Sequence, residues 1–401
     1  MKPPFQKDRK PLDLEKLGDW PRKIKEDENE AKEKEIEKCP YCMSGKIVKR
    51  GKRKKVLEEV QLYLCNDCSK TFTPQKISGK KFPLKVIIDS LSYYNMGYSF
   101  EESSNFIKEN YGVELNSQTV SNWLKEFEKL CTYSRMREHG KKLFTPNQII
   151  QSTVLYHRQV YKFRWHKAKL ALILQDFRHG KFEPLRQFMD AVSIECPHQL
   201  FQEGERSSQQ GTKFDLSQVR INEKFNFAVR LAQLVLQAVN NSRQRHEILQ
   251  KFMLANDSVT VACEVPVWLD NEDISHFNNE LGFDVPLNPE RVITGHIDII
   301  QVRNGSVHIL DYKPDARKEK PIEQLTIYAL ALSRLTGLRL FEFKCAWFDD
   351  KNYYEFFPLH IVYKKQKKLP KEQMKLNAMQ PQLSSAAVNG STRTGDQHRM
   401  E

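Results

Sequence analysis

Residues 295 to 314, GHIDIIQVRNGSVHILDYKP, set two short apolar runs around an Asn-Gly dipeptide. A two-residue Asn-Gly loop favours a type I′ hairpin, because both loop residues take positive φ and the twist of the turn matches that of the strands. Register follows. With Asn304 and Gly305 as the loop, Arg303 faces Ser306, and counting outward sets Asp298 directly across from Asp311. Lys313, two residues beyond Asp311, projects from the same face of the strand. Like charges opposed on a ladder are destabilising and raise one pKa unless a cation lies between them. A hard divalent ion suits such a pair, since magnesium is held by one or two carboxylates together with water and phosphate oxygens. Glu264, in the preceding strand-like run ACEVPVW, could add a third oxygen. The other reading of the hairpin is a structural salt bridge in which Lys313 neutralises one acid.

A chain of 401 residues is expected to hold two or three folded units, since domains run roughly 100 to 200 residues. The formal charge of +13 favours a polyanionic partner, nucleic acid ahead of an anionic membrane surface. No run approaches the roughly 18 apolar residues that cross a bilayer, and MKPPFQKDRKPLDLEK lacks the apolar stretch of a secretion signal. The expectation is a cytoplasmic, DNA-binding protein without a membrane partner.

The sequence divides by composition into a charged, flexible leader (1–38), a cysteine segment (39–75), a three-helix segment (80–132), a mostly helical connection that also begins the C-terminal unit (141–240), the α/β core of that unit (241–365) and a disordered polar tail (366–401). The cysteines split in the same way. Cys39, Cys42, Cys65 and Cys68 form two Cys-x-x-Cys doublets, whereas Cys131, Cys196, Cys263 and Cys345 stand singly and read as small buried hydrophobes. Four thiolates on two turns joined by a hairpin suit one tetrahedral zinc ion with no open position, hence a structural site. Iron or redox chemistry is the alternative use. KIVKRGKRKK, between the doublets, holds seven bases and no acid, so Lys52 and Arg53 are candidate phosphate contacts or part of a solvated turn.

In the three-helix segment Val120, Trp123, Leu124, Phe127 and Leu130 repeat at helical spacing and predict one buried stripe. Gln118, Ser121, Asn122 and Lys125 are left outward, with Ser117 as a cap. These side chains are of the types that read base edges from a helix in the major groove, and an ordinary helical bundle gives the same stripe. The stretch 39–75, including CNDCSKTFTP, resembles the zinc ribbon that precedes helix-turn-helix segments in transposase-type proteins, and the third helix resembles their recognition helices.

In the C-terminal unit, Gln324 and Tyr328 lie four apart on the helix that follows the hairpin. The ordered set Glu264, Asp298 after Gly-His-Ile, Asp311-Tyr-Lys313 and Gln324-x-x-x-Tyr328 resembles the RecB-like exonuclease branch of the PD-(D/E)XK nuclease superfamily over about residues 240 to 345. The resemblance implies a restriction-endonuclease-like α/β core with a mixed central sheet, so the whole chain is expected to be multidomain: zinc ribbon, all-α helix-turn-helix and α/β core. It further implies Mg2+ or Mn2+ dependence and phosphodiester hydrolysis. Asp298 and Asp311 would be metal ligands, Glu264 a further acidic ligand, Lys313 the group that orients water, and Gln324 with Tyr328 DNA-contacting or site-ordering residues. This branch carries a histidine on a helix before the Glu strand, for which His246 and the position of Asn226 both offer themselves. Relatives with an iron–sulfur cluster need three downstream cysteines, and only Cys345 lies downstream, so no cluster is expected. A non-catalytic DNA-binding regulator, or a mobile-element accessory protein, is the competing function. LYHRQVYKFRWHKAKL (155–170) interleaves aromatics with bases and reads either as a base-stacking surface or as a helix with an aromatic core face.

Overall fold

The computed structural model of the protein describes residues 37–73, 80–209, 214–239, 242–287 and 290–363. The leader up to residue 36 and the expected tail at 366–401 lie outside the described residues.

The cysteine segment is a small antiparallel sheet of β1 (Ile47–Lys54), β2 (Glu59–Cys65) and β3 (Thr71–Phe72). β1 buries almost nothing, and the interior reduces to Cys39, Tyr63, Cys65 and Phe72, with the two rings stacked at 5.8 Å. A unit with so little apolar burial ordinarily needs a metal or crosslink to hold it.

Three helices follow as the punctuation predicts. α1 (Leu84–Asn95) starts after Pro83, and α2 (Phe100–Tyr111) is opened by a Ser99–Glu102 capping box and closed by Gly112 at φ 67°. α3 (Ser117–Glu126) takes its cap from Asn116, whose side chain accepts from the Gln118 N–H, rather than from Ser117. Val120, Trp123 and Phe127 are buried, while Leu124 and Leu130 are half-buried. α4 (Arg137–Leu143) and α5 (Pro146–Ile149) lead to the main sheet.

The stretch expected to be mostly helical at 141–240 instead begins with a β-hairpin, β4 (Ile150–His157) and β5 (Gln159–His166), paired through all eight positions. LYHRQVYKFRW is therefore mainly strand, and the hairpin joins the same sheet as the strands after residue 241. Helices α6 (Lys167–Leu174), α7 (Glu183–Ile194) and α8 (His198–Glu203), short strands β6 (Glu205–Arg206) and β7 (Asn222–Glu223), and helices α9 (Phe227–Val235) and α10 (Ser242–Asn256) come next. They are followed by β8 (Thr260–Leu269), α11 (Asn271–Ser275), β9 (Ile293–Arg303), β10 (Ser306–Tyr312), α12 (Ile322–Thr336), β11 (Phe343–Phe348), β12 (Tyr353–Phe356) and α13 (Leu359–Val362).

The sheet runs β4-β5-β8-β9-β10-β11-β12-β7, with β6 beside β9. It is mixed: β10 and β11 are parallel, joined by α12 as the crossover, and most other neighbours are antiparallel. Alternate residues feed two cores. Val307 and Ile309 of β10, with Cys345 and Trp347 of β11, pack against α7 and α12. Leu310, Tyr312, Ala346 and Phe348 pack against α9, α10 and the three N-terminal helices, which therefore share the sheet's core instead of forming one of their own. Asn95 Nδ2 donates to Asn256 Oδ1 at 2.7 Å inside that contact. Among the described residues no helix is long and apolar enough to cross a membrane.

Lys169 of α6 locks the hairpin region to the sheet. Its fully buried ammonium donates to the Leu254 and Thr260 carbonyls at 2.6 and 2.9 Å and lies 3.7 Å from Asp257. Removing one partner of such a buried set leaves an uncompensated charge, so Lys169→Met is expected to lose about 3–5 kcal/mol in urea unfolding.

Candidate active site

The hairpin turn and the ladder behind it form as the Asn-Gly loop predicts. Asn304 and Gly305 take φ 52° and 70°, as a type I′ turn requires, and Arg303 pairs with Ser306 through to Ile299 with Leu310. One step further, past the last paired residues, the same register sets Asp298 opposite Asp311, and the Tyr312 N–H donates to Asp298 Oδ2 at 3.4 Å. Lys313 Nζ sits 3.0 Å from Asp311 Oδ2.

β8 brings the third acid. Cys263 pairs with Ile299 and Val265 with Ile297, so Glu264 stands across from Asp298. Glu264 has φ 53°, a left-handed conformation that costs a non-glycine residue about 1–3 kcal/mol and is commonly retained at functional sites. Its effect is visible in the packing. Cys263 and Ile299 enter the core of the N-terminal helices, whereas Val265 and Ile297, two residues away on each strand, enter the opposite core. A regular strand would keep residues two apart on one face. The pleat breaks at the two acids.

His246, on α10, reaches Asp298 Oδ2 with its Nδ1 at 3.3 Å and sets its ring edge-on to Tyr312. Asn226 is occupied as the cap of α9, accepting from the Ala228 N–H, so His246 and not Asn226 stands at the acids. One turn along α10, Gln250 Nε2 donates to Glu264 Oε1 at 2.7 Å. Sequence reasoning missed Gln250, although its spacing of four from His246 on one helix was available as a signal. Beside it Glu247 meets Lys251 at 2.8 Å, Lys162 at 3.5 Å and Arg164 at 3.6 Å, a basic flank for the acidic centre.

Gln324 and Tyr328 of α12 do face one another, with Gln324 Nε2 donating to Tyr328 Oη at 2.8 Å. The Tyr328 ring lies against β9 at Gly295, where a Cβ would come within 2.2 Å of the ring, so this crossing needs glycine three residues before Asp298. Burial raises the Tyr328 phenol, and the nearby Asp298 and Asp311 charges raise it further.

The three acids divide one difficult electrostatic problem. Burial and the Asp298 charge push Glu264 up to about 8, against the Gln250 hydrogen bond. Asp311 is raised well above the carboxylate range by burial and by Asp298, with Lys313 opposing. Burial would raise Asp298 too, but His246, Asp311 and Lys313 hold it below its ordinary value. His246 is raised despite burial, by Asp298 and then Glu264. Asp311 Oδ2, though ion-paired, is buried without a hydrogen bond among the described residues. A concentration of carboxylates with an oxygen left over is a donor set of the kind that holds a hard divalent cation. Asp298 and Asp311 keep 20% and 7% of their side-chain exposure, so the centre is recessed and accessible.

The expected zinc ligands also converge. Cys39 and Cys68 Sγ are 3.7 Å apart and Cys42 and Cys65 Sγ 3.5 Å, beside the roughly 3.8 Å that Zn–S bonds near 2.3 Å give in a tetrahedron. Met43 and Ser69, each directly after a doublet, take φ 61° and 56°, so both turns close the same way. The Cys68 and Asp67 backbone amides lower the Cys65 thiol to about 7. Four thiols so arranged could hold one ion. Gln118, Asn122 and Lys125 are exposed on α3, Ser121 is half-buried, and Lys52 and Arg53 are exposed on β1. Neither group approaches the acids through a described contact.

Glu264 gives a pH test. Its ordinary value is 4.5 and its folded value about 8, so the folded protein binds a proton that the unfolded chain has released between those values. That contribution is whole below about 4.5 and is lost as pH rises through about 8. Chelator-treated protein should therefore melt at lower temperature as pH rises across this window, and Glu264→Gln should flatten the slope in calorimetry.

No curated protein and no solved structure matches this chain. A family model does match, over residues 198–386, a span that contains His246, Gln250, Glu264, Asp298, Asp311, Lys313, Gln324 and Tyr328. The matching model is that of the PD-(D/E)XK nuclease superfamily, and the mixed sheet with flanking helices fits a restriction-endonuclease-like core.

Proposed function

We propose that the protein is a Mg2+- or Mn2+-dependent deoxyribonuclease of the RecB-like exonuclease branch, carried to DNA by a zinc ribbon (39–75) and a helix-turn-helix (80–132). The observation that carries this reading is the convergence of Glu264, Asp298, Asp311, Lys313 and His246 at a break in the sheet. A nuclease is what a match to this superfamily favours, and its members use divalent metals.

Glu264, Asp298 and Asp311 would hold the cation, with His246 as a fourth ligand or as the cation that steadies Asp298. A divalent ion there supplies a water of lowered pKa and offsets charge on the phosphate. Lys313 stands next to Asp311, where an ammonium steadies the charge that develops on the phosphorane oxygens. Gln250 fixes the Glu264 carboxylate, and Gln324 fixes the Tyr328 hydroxyl.

A panel of duplex, single-stranded and branched DNA with Mg2+ or Mn2+ tests the centre. Wild type should cut at least one substrate, and Asp311→Ala should lower the rate by at least about a hundredfold. Equal cutting by both proteins would remove the centre from the reaction.

DNA docking rests on the exposed bases of β1 and on the polar face of α3. Paired Lys52→Glu and Arg53→Glu substitutions should weaken binding to every sequence alike and make its salt dependence shallower in fluorescence anisotropy. Asn122→Ala should instead cost about 1–3 kcal/mol on a preferred site and little on others. If the α3 substitution acts equally on all sequences, α3 does not read bases.

A further inference from the structure

A second set of donors lies at the end of β4, on residues that the acidic centre does not use. His157 closes β4, and Cys196 and His198 flank Pro197 between α7 and α8. His157 Nε2 is 2.9 Å from His198 Nδ1 and 3.8 Å from Cys196 Sγ. Around a tetrahedral zinc ion, bonds of about 2.0–2.1 Å to nitrogen and 2.3 Å to sulfur set N···N near 3.3 Å and S···N near 3.6 Å. Both distances stand within half an ångström of those values, and the three donor atoms all lie within 4.8 Å of one another.

The surroundings are those of a prepared site. His157 Nδ1 lies 2.9 Å from His296 Nε2, so with Nε2 turned to a metal its remaining N–H has an acceptor waiting, the arrangement usual for metal-bound imidazoles. Phe201 stacks on the His157 ring at 3.9 Å and 10°, and Tyr161 on His296 at 3.6 Å and 6°. Arg158, directly after His157, holds φ 60° in the tight turn into β5. Its guanidinium donates to the Gln202 and Gly204 carbonyls at 2.7 to 3.0 Å, which pins α8 and its His198 to the end of the hairpin. His157 is buried, Cys196 half-buried and His198 exposed, so the remaining side of the cluster faces solvent.

We propose that His157, Cys196 and His198 form a second transition-metal site, of zinc character, with its fourth position open to water or to an anionic oxygen. One thiolate with two imidazoles selects a borderline or soft cation, in contrast to the carboxylates of Glu264, Asp298 and Asp311. The site adjoins those acids through His296, two residues before Asp298 on β9. Two of its ligands lie outside the span matched by the nuclease family model and the third is its first residue, so the site sits at the margin of that span, where the end of β4 meets the start of α8.

The test uses the full chain, loaded with Zn2+ or Co2+ and desalted, with metal counted by elemental analysis and thiolate-to-cobalt absorption recorded. Wild type should hold about two thiolate-bound equivalents, and Cys196→Ser and His198→Gln should each hold about one, with part of the cobalt absorption lost. Asp311→Ala should keep both, which separates this site from the acidic centre. His198 is exposed, so its variant decides the matter should Cys196→Ser fail to fold. If His198→Gln keeps the wild-type metal content and cobalt spectrum, the site does not exist.

Discussion

Two carboxylates held face to face inside a sheet are the constraint around which this molecule is arranged. The Asn304-Gly305 turn leaves Asp298 and Asp311 no freedom to slip apart, because a one-residue change of register would carry every apolar side chain of β9 and β10 to the wrong core. Both faces of the sheet are covered, so the strands cannot part either. The repulsion is managed locally. His246 and Lys313 bring positive charge to one acid each, Asp311 and Glu264 are held toward their protonated forms, and Gln250 offers a neutral donor. These compensations are what allow three carboxylates to be buried side by side.

The break at Glu264 is the second half of the same arrangement. An unbroken pleat would keep Cys263 and Val265 on one side. With φ positive at Glu264 they pack in opposite cores, and the strand turns over at the point where Asp298 stands opposite. The left-handed residue costs free energy that the surrounding packing must offset. The acids gain a recess where the sheet would otherwise be sealed on both faces.

What could be read from the sequence followed from local rules. Asn304-Gly305 fixes a register, Ser99 and Gly112 bound a helix, and two Cys-x-x-Cys turns bring four thiols together; each depends on a few neighbouring residues. The β4–β5 hairpin did not yield, because Phe163, Arg164, Trp165 and His166 are all buried, so the alternation that marks a half-exposed strand is absent. Cys196 was read as a lone apolar residue because its partner His157 lies 39 positions earlier and meets it only once that hairpin is formed. His246 and Asn226 were equivalent in sequence, and capping by Asn226 separates them in space.

α10 ties these parts together. Leu249, Phe252 and Met253 lie in the same core as the apolar faces of α1, α2 and α3, while His246 and Gln250 reach Asp298 and Glu264. Asn256, at its last position, bonds to Asn95 and Ser92 of α1. A helix that touches both the candidate DNA-reading segment and two of the three acids cannot shift for one without disturbing the other. The three-helix segment is therefore a fixed wall of the α/β unit rather than a module on a tether, and the direction in which α3 presents Gln118 and Asn122 is set by the same packing that places His246. The spacing between α3 and the three acids is therefore a property of this core and not of a linker.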